Sequence, residues 1–106
     1  MKEHVLENKQ KIGKITLWKK IHCYCPLGDD WYTHQLKIEF EPVDEFPDYI
    51  YIEKKIMELY EKKDYIIEDV VSGIYDIIAD FCPSAKNIHV TSYVDDAQHL
   101  TVQVER

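Results

Sequence analysis

Hydrophobic spacing changes twice along this chain, from a two-residue repeat to a helical one and back, and few arrangements of strands and helices satisfy that order. Between Lys14 and Phe40 the positions Thr16, Trp18, His22 and Tyr24, then Tyr32, His34, Leu36, Ile38 and Phe40, alternate with mostly polar residues such as Lys37 and Glu39. Alternation of this kind gathers one set of side chains on one face of a strand. Pro26-Leu27-Gly28-Asp29-Asp30 interrupts the pattern and predicts an antiparallel hairpin. Pro42 and Pro47 then bracket a loop, since proline cannot donate to a sheet ladder. From Tyr49 the spacing turns helical. Ile52, Ile56, Leu59 and Tyr60 mark a first helix, and Ile66, Ile67, Val70, Val71, Ile74, Ile77, Ile78 and Phe81 a second. Asp64 is the expected N-cap of the second helix, Glu68 and Asp69 fall in or near its first turn, where the helix dipole favours negative charge, and Pro83 marks its end. Ile88, Val90 and Val94, a bend at Asp95-Asp96, and Leu100, Val102 and Val104 predict a second hairpin.

The expectation is one α+β domain over residues 1–106, of order ββααββ, with both helices on one face of a four-stranded antiparallel sheet. Residues 1–12 are expected as a flexible N-terminal segment. Long regular edge strands pair readily with further copies, so a ring-like homo-oligomer is predicted.

A length of 106 residues, 45% of them hydrophobic and 31% charged, suits a single small core. With 20 acidic against 13 basic residues, the net charge of -7 repels phosphate backbones and disfavours general nucleic-acid binding. No apolar run reaches the roughly 18 residues that span a bilayer, and the polar start lacks the apolar core of a signal peptide. A cytoplasmic protein without a membrane partner is expected. Cys23, Cys25 and Cys82 are odd in number, and the first two are too close for an easy bridge, so all three read as free thiols.

The turn Cys23-Tyr24-Cys25-Pro26-Leu27-Gly28-Asp29-Asp30-Trp31 sets a thiol and two carboxylates at a hairpin mouth. A cysteine reacts as thiolate, and a neighbouring acid or base can shuttle the proton that its reaction moves. Three matches carry a resemblance. Cys25-Pro26, followed by Asp30-Trp31, is similar to a Cys-Pro turn ending in Pro-Asp-aromatic, here two residues shorter. Glu53, Lys55, Leu59 and Tyr60 match a Glu-x-Lys-Ser-x-Lys-Leu-Tyr segment. Glu68 stands where a His-Glu pair occurs. Over about Cys23 to Val104 the chain resembles the 7-cyano-7-deazaguanine reductase family (QueF-like, tunnelling fold) and its short archaeosine amidinotransferase relatives.

The resemblance implies that Cys25 forms a thioimide with a nitrile, that Asp30 supplies the proton, that Glu68 and Glu53 bind a guanine-like substrate, and that Lys55 contacts NADPH. The reductase branch is the leading expectation, in which two hydrides from NADPH would complete an aminomethyl group in queuosine-type chemistry; the amidinotransferase branch is the alternative. In the amidinotransferase branch ammonia would displace the sulfur on a base in transfer RNA. Ile56, Glu58 and Ile67 depart from the pattern, and an acidic Glu58 would oppose a cofactor phosphate. They also fit a non-catalytic purine-binding member of the same fold, and an acidic adaptor domain is a further alternative.

Plainer roles stand beside these. Cys23 and Cys82 suit packing, and a zinc site from Cys23, Cys25, His22 and His34 lacks the usual ligand spacer, so no metal is expected. Glu68 stabilises a helix start without any ligand, by about 0.3–1 kcal/mol. His89 and His99 suit cross-strand or surface positions, the Lys54-Lys55 and Lys62-Lys63 pairs a solvated face, and Tyr49, Tyr51, Tyr60 and Tyr65 a subunit contact.

Overall fold

In the computed structural model, which describes residues 3–94 and 101–105, the long strands carry the fold. β2 (Ile15–Cys25) and β3 (Asp30–Glu41) form the first hairpin, and β5 (Lys86–Val94) and β6 (Thr101–Glu105) the second. Short strands β1 (Val5–Glu7) and β4 (Glu45–Pro47) flank the first hairpin, and helices α1 (Tyr49–Tyr60) and α2 (Ile67–Phe81) follow it. One antiparallel sheet has the order β2-β3-β5-β6, and β1 with β4 makes a second, two-stranded sheet. The expected ββααββ core is thus joined by two further strands. One of them, β1, lies in the segment 1–12 that was read as flexible: Val5 pairs with Pro47, and Val5 and Phe46 are buried. Pro47 sits at the end of its strand, where a missing N–H does least harm.

On β3 the even positions His34, Leu36, Ile38 and Phe40 point inward, as the alternation predicted. On β2 the expectation fails. Ile15, Ile21 and Cys23 are the buried residues, whereas Thr16, Trp18 and His22 are exposed. Antiparallel pairing sets this parity, because Ile15 faces Phe40, Leu17 faces Ile38 and Ile21 faces His34, so the odd residues of β2 share the inward face of β3. Trp18 instead stacks on Tyr93 across the outer face, ring centroids 6.3 Å apart, with Lys37 Nζ 5.4 Å from its ring.

α1 is capped by Asp48, whose side chain accepts from Ile50 N at 3.0 Å. It buries Ile52, Ile56 and Tyr60, while Leu59 remains exposed. α2 buries Ile67, Val70, Val71, Ile74, Ile77 and Ile78, lies over β5 and β6, and ends at Cys82 before Pro83. One core cluster contains residues of both helices together with Ile21, Leu36, Ile38 and Val90, so the helices share one face of the sheet. Asp64 does not cap α2: Ile66 holds that position in an extended conformation without a side-chain cap, and Asp64 pairs with Tyr24 as an isolated parallel bridge. In the second hairpin Val90 faces Val104 and Ser92 faces Val102; the bend at Asp95-Asp96, His99 and Leu100 lie outside the described residues. Among the described residues no helix is long and apolar enough to cross a membrane.

Candidate active site

Cys25 is the last residue of β2 and Asp30 the first of β3, and they are Cα partners across the hairpin end. Side chains alternate along a strand, so Cys25 shares the inward face of Ile21 and Cys23. Its half-buried sulfur accepts from Gly28 N–H at 3.4 Å. The turn closes tightly over that sulfur: a Cβ on Gly28 would stand 3.7 Å from Cys25 Sγ and 3.1 Å from Tyr32 Oη.

Opposite the thiol is the start of α2, and the helix linker holds it there. Tyr24 N donates to Lys63 O and Tyr65 N to Tyr24 O, both at 3.0 Å, while Lys62 N donates to His22 O at 2.6 Å. His22 Nδ1 lies 2.9 Å from Glu61 Oε1, which also accepts from His22 N at 3.2 Å. The linker therefore runs along the end of β2 as a short parallel extension of the sheet. It delivers Tyr65, Ile67 and Glu68 to a pocket whose sheet wall includes Cys25, Tyr32 and His34.

This pocket measures about 230 Å³ and its lining is mostly apolar. It is smaller than the roughly 300–1,000 Å³ of drug-sized sites, so it suits a small molecule. The first turn of α2 contributes Ile67 and Glu68 to this wall and has no side-chain cap. Glu68 and Asp69 occupy that turn, as the sequence suggested.

The other residues singled out in the sequence are distributed more widely. Asp30 stands beside Cys25 across the hairpin end, with its carboxylate accepting from Trp31 N at 2.8 Å. Asp29, at φ 51°, accepts from Tyr24 Oη, and that bond holds the phenol pKa above its ordinary value. Glu53 and Lys55 are on α1 and not in the pocket wall; Glu53 lies 4.0 Å from Lys19 Nζ. Glu53 and Glu58 are exposed on α1, and Lys55 between them is half-buried. Among the described residues no group of three or more His, Cys, Asp or Glu side chains is arranged to hold a metal. His34 and Tyr65 also line the pocket, a role that residue type and spacing do not announce. Only the inward parity of β3 could have signalled His34.

Cys23 and Cys82 are fully buried, as a packing role requires. Cys23 Sγ donates to Tyr60 O at 3.2 Å. Burial, with a smaller contribution from the Glu61 charge, pushes the Cys23 pKa up to about 11 from an ordinary 9.0. The folded state thus favours the neutral thiol. That stabilisation is complete below about pH 9 and is lost as pH rises through about 11. Two pKa units correspond to about 3 kcal/mol at most. Urea midpoints measured at pH 8 and pH 11 should fall further in the parent protein than in Cys23→Ala; equal falls would show that this thiol does not govern alkaline unfolding.

No protein-family model matches the chain, and no curated protein does. Among solved structures it is similar to the crystal structure of the archaeosine synthase QueF-Like in the apo form. The TM-score is 0.67 at 14% sequence identity, over 87% of this chain and 89% of that one. The chain has a QueF-like fold. The likeness is one of fold, and the observed order β1-β2-β3-β4-α1-α2-β5-β6 differs from the expected ββααββ by the two short strands β1 and β4.

Proposed function

We propose that this pocket binds 7-cyano-7-deazaguanine, or that base within transfer RNA, and that Cys25 attacks its nitrile. The observation that carries this reading is the convergence of Cys25 and Glu68, from a hairpin end and a helix start, on one pocket. Asp30 takes the proton of the Cys25 thiol, the thiolate adds to the nitrile carbon as the C–N π pair moves to nitrogen, and Asp30 returns that proton to the nitrogen to give a thioimide. Glu68 accepts two hydrogen bonds from the ring N–H and exocyclic amine of the guanine-like edge. Ammonia then adds to the thioimide carbon, and the sulfur departs as thiolate to leave an amidine. Likeness of fold to an archaeosine synthase supports this fate.

A reductive fate, with NADPH as hydride donor and an aminomethyl product, is the second reading, and the Glu53 and Lys55 match is what favours it. Incubation with the nitrile followed by intact mass measurement tests the shared step, and absence of a protein–ligand adduct would sink it. NADPH oxidation on one side and amidine formation from ammonia on the other separate the two fates.

The pocket is open, and both β2 and β6 are edges of the four-stranded sheet. The linker covers β2 only around His22 to Tyr24. We propose that neighbouring copies join along the remaining edges in a ring, closing each pocket between protomers. Light scattering should report a multiple of the 12.7 kDa chain mass, and a monomer would exclude this assembly.

A further inference from the structure

Tyr32 sets a hydroxyl beside the Cys25 thiol. Across the first hairpin Tyr32 pairs with Cys23, and Asp30 with Cys25, so Tyr32 and Asp30 are successive residues on the face of β3 that the thiol shares. Tyr32 is half-buried and lines the pocket together with Cys25 and Glu68. Its oxygen is turned toward the sulfur. A Cβ on Gly28 would stand 3.1 Å from Tyr32 Oη and 3.7 Å from Cys25 Sγ, so the two atoms border one small space that glycine leaves open. The turn that shapes this space is braced on both sides: Asp29 accepts from Tyr24 Oη, and Cys25 Sγ accepts from Gly28 N–H at 3.4 Å. The sulfur thus already has a donor, whereas the Tyr32 hydroxyl makes no hydrogen bond among the described residues.

We propose that Tyr32 is a further catalytic residue of the thioimide step: its O–H donates to the nitrile nitrogen, and that bond tightens as the attacking sulfur drives the C–N π pair onto nitrogen. This rests on the deazaguanine reading of the pocket and adds to it a fixed donor for the developing charge. Asp30 carries one proton from sulfur to nitrogen. Tyr32 transfers none; its hydrogen bond occupies the nitrogen while that proton is in transit. The mostly apolar lining strengthens such a bond relative to water, so a donor already in place lowers the barrier to addition.

The experiment compares Tyr32→Phe with the parent protein in two reactions of the same thiol, each followed by intact mass against time. Adduct formation with 7-cyano-7-deazaguanine puts charge on a nitrogen; alkylation by iodoacetamide expels iodide and does not. Tyr32→Phe should slow the first about a hundredfold, as for loss of one donor to developing charge, and leave the second unchanged. An adduct rate within about threefold of the parent overturns the proposal, and so does equal slowing of both reactions, which would place the effect on the sulfur or the fold. Should Tyr32→Phe not fold, the infrared C≡N stretch of the ligand bound to Cys25→Ala decides. A nitrile that accepts a hydrogen bond absorbs at higher frequency than in an aprotic solvent, and a frequency no higher overturns the proposal. A parent that forms no adduct removes the deazaguanine reading and this inference together. Normal adduct formation in both the parent and Tyr32→Phe removes this inference alone.

Discussion

Cys25→Ala is expected to lose all covalent uptake of 7-cyano-7-deazaguanine, whereas Cys23→Ala and Cys82→Ala retain it. The difference is large because a covalent bond has no partial substitute: with no sulfur at position 25, the nitrile carbon meets no nucleophile. The two other thiols cannot stand in. Cys23 is fully buried and donates to Tyr60 O, and Cys82 is fully buried at the end of α2. Alanine at position 25 removes a half-buried side chain at the hairpin mouth, outside the main core cluster, so thermal unfolding should move little. Intact mass and a melting curve on the same samples check both halves. An adduct that persists in Cys25→Ala would end the nucleophile assignment.

Ile74→Ala should be the most damaging single change to the fold. Ile74 is fully buried in the middle of α2, inside the cluster that joins both helices to the sheet. Removing its branched side chain forfeits burial and leaves a cavity, at a cost of about 2–5 kcal/mol. Against a total stability of roughly 5–15 kcal/mol, that is a large share. Ile50→Ala, at a residue 66% exposed on α1, is the control and should cost less than about 0.5 kcal/mol. Urea midpoints compare the two directly. Similar values would mean that α2 does not anchor the core as its burial indicates.

Those same helices were legible in the sequence because apolar residues recur three or four positions apart, and on α2 the ones so spaced, from Ile67 to Ile78, are buried. The parity of β2 was not. Trp18, His22 and Tyr24 invite an even-numbered inward face, yet Trp18 finds a partner in Tyr93 on the outer face. Lys19 interrupts the odd-numbered series but keeps its stem partly covered while its amine reaches within 4.0 Å of Glu53. Local alternation cannot separate such cases, since the deciding contact, Ile15 with Phe40, is set by the partner strand. Strands β1 and β4 were hidden for a related reason: three-residue strands carry no periodicity, and their pairing is entirely long-range. At the site, Cys25 and Glu68 could be singled out by chemistry, and their approach depends on a linker that no short-range pattern announces.

That linker stitches itself to the tip of the first hairpin through the backbone of Tyr24, which is bonded on both sides. Reactivity and robustness thereby reside in different parts of the molecule. Splicing a few extra glycines between Glu61 and Tyr65 would leave the interior of both helices and the sheet untouched, yet unfasten the helix start that carries Glu68 from the hairpin end that carries Cys25. Evolution could retune or silence such a centre by editing a handful of surface positions while inheriting the scaffold intact.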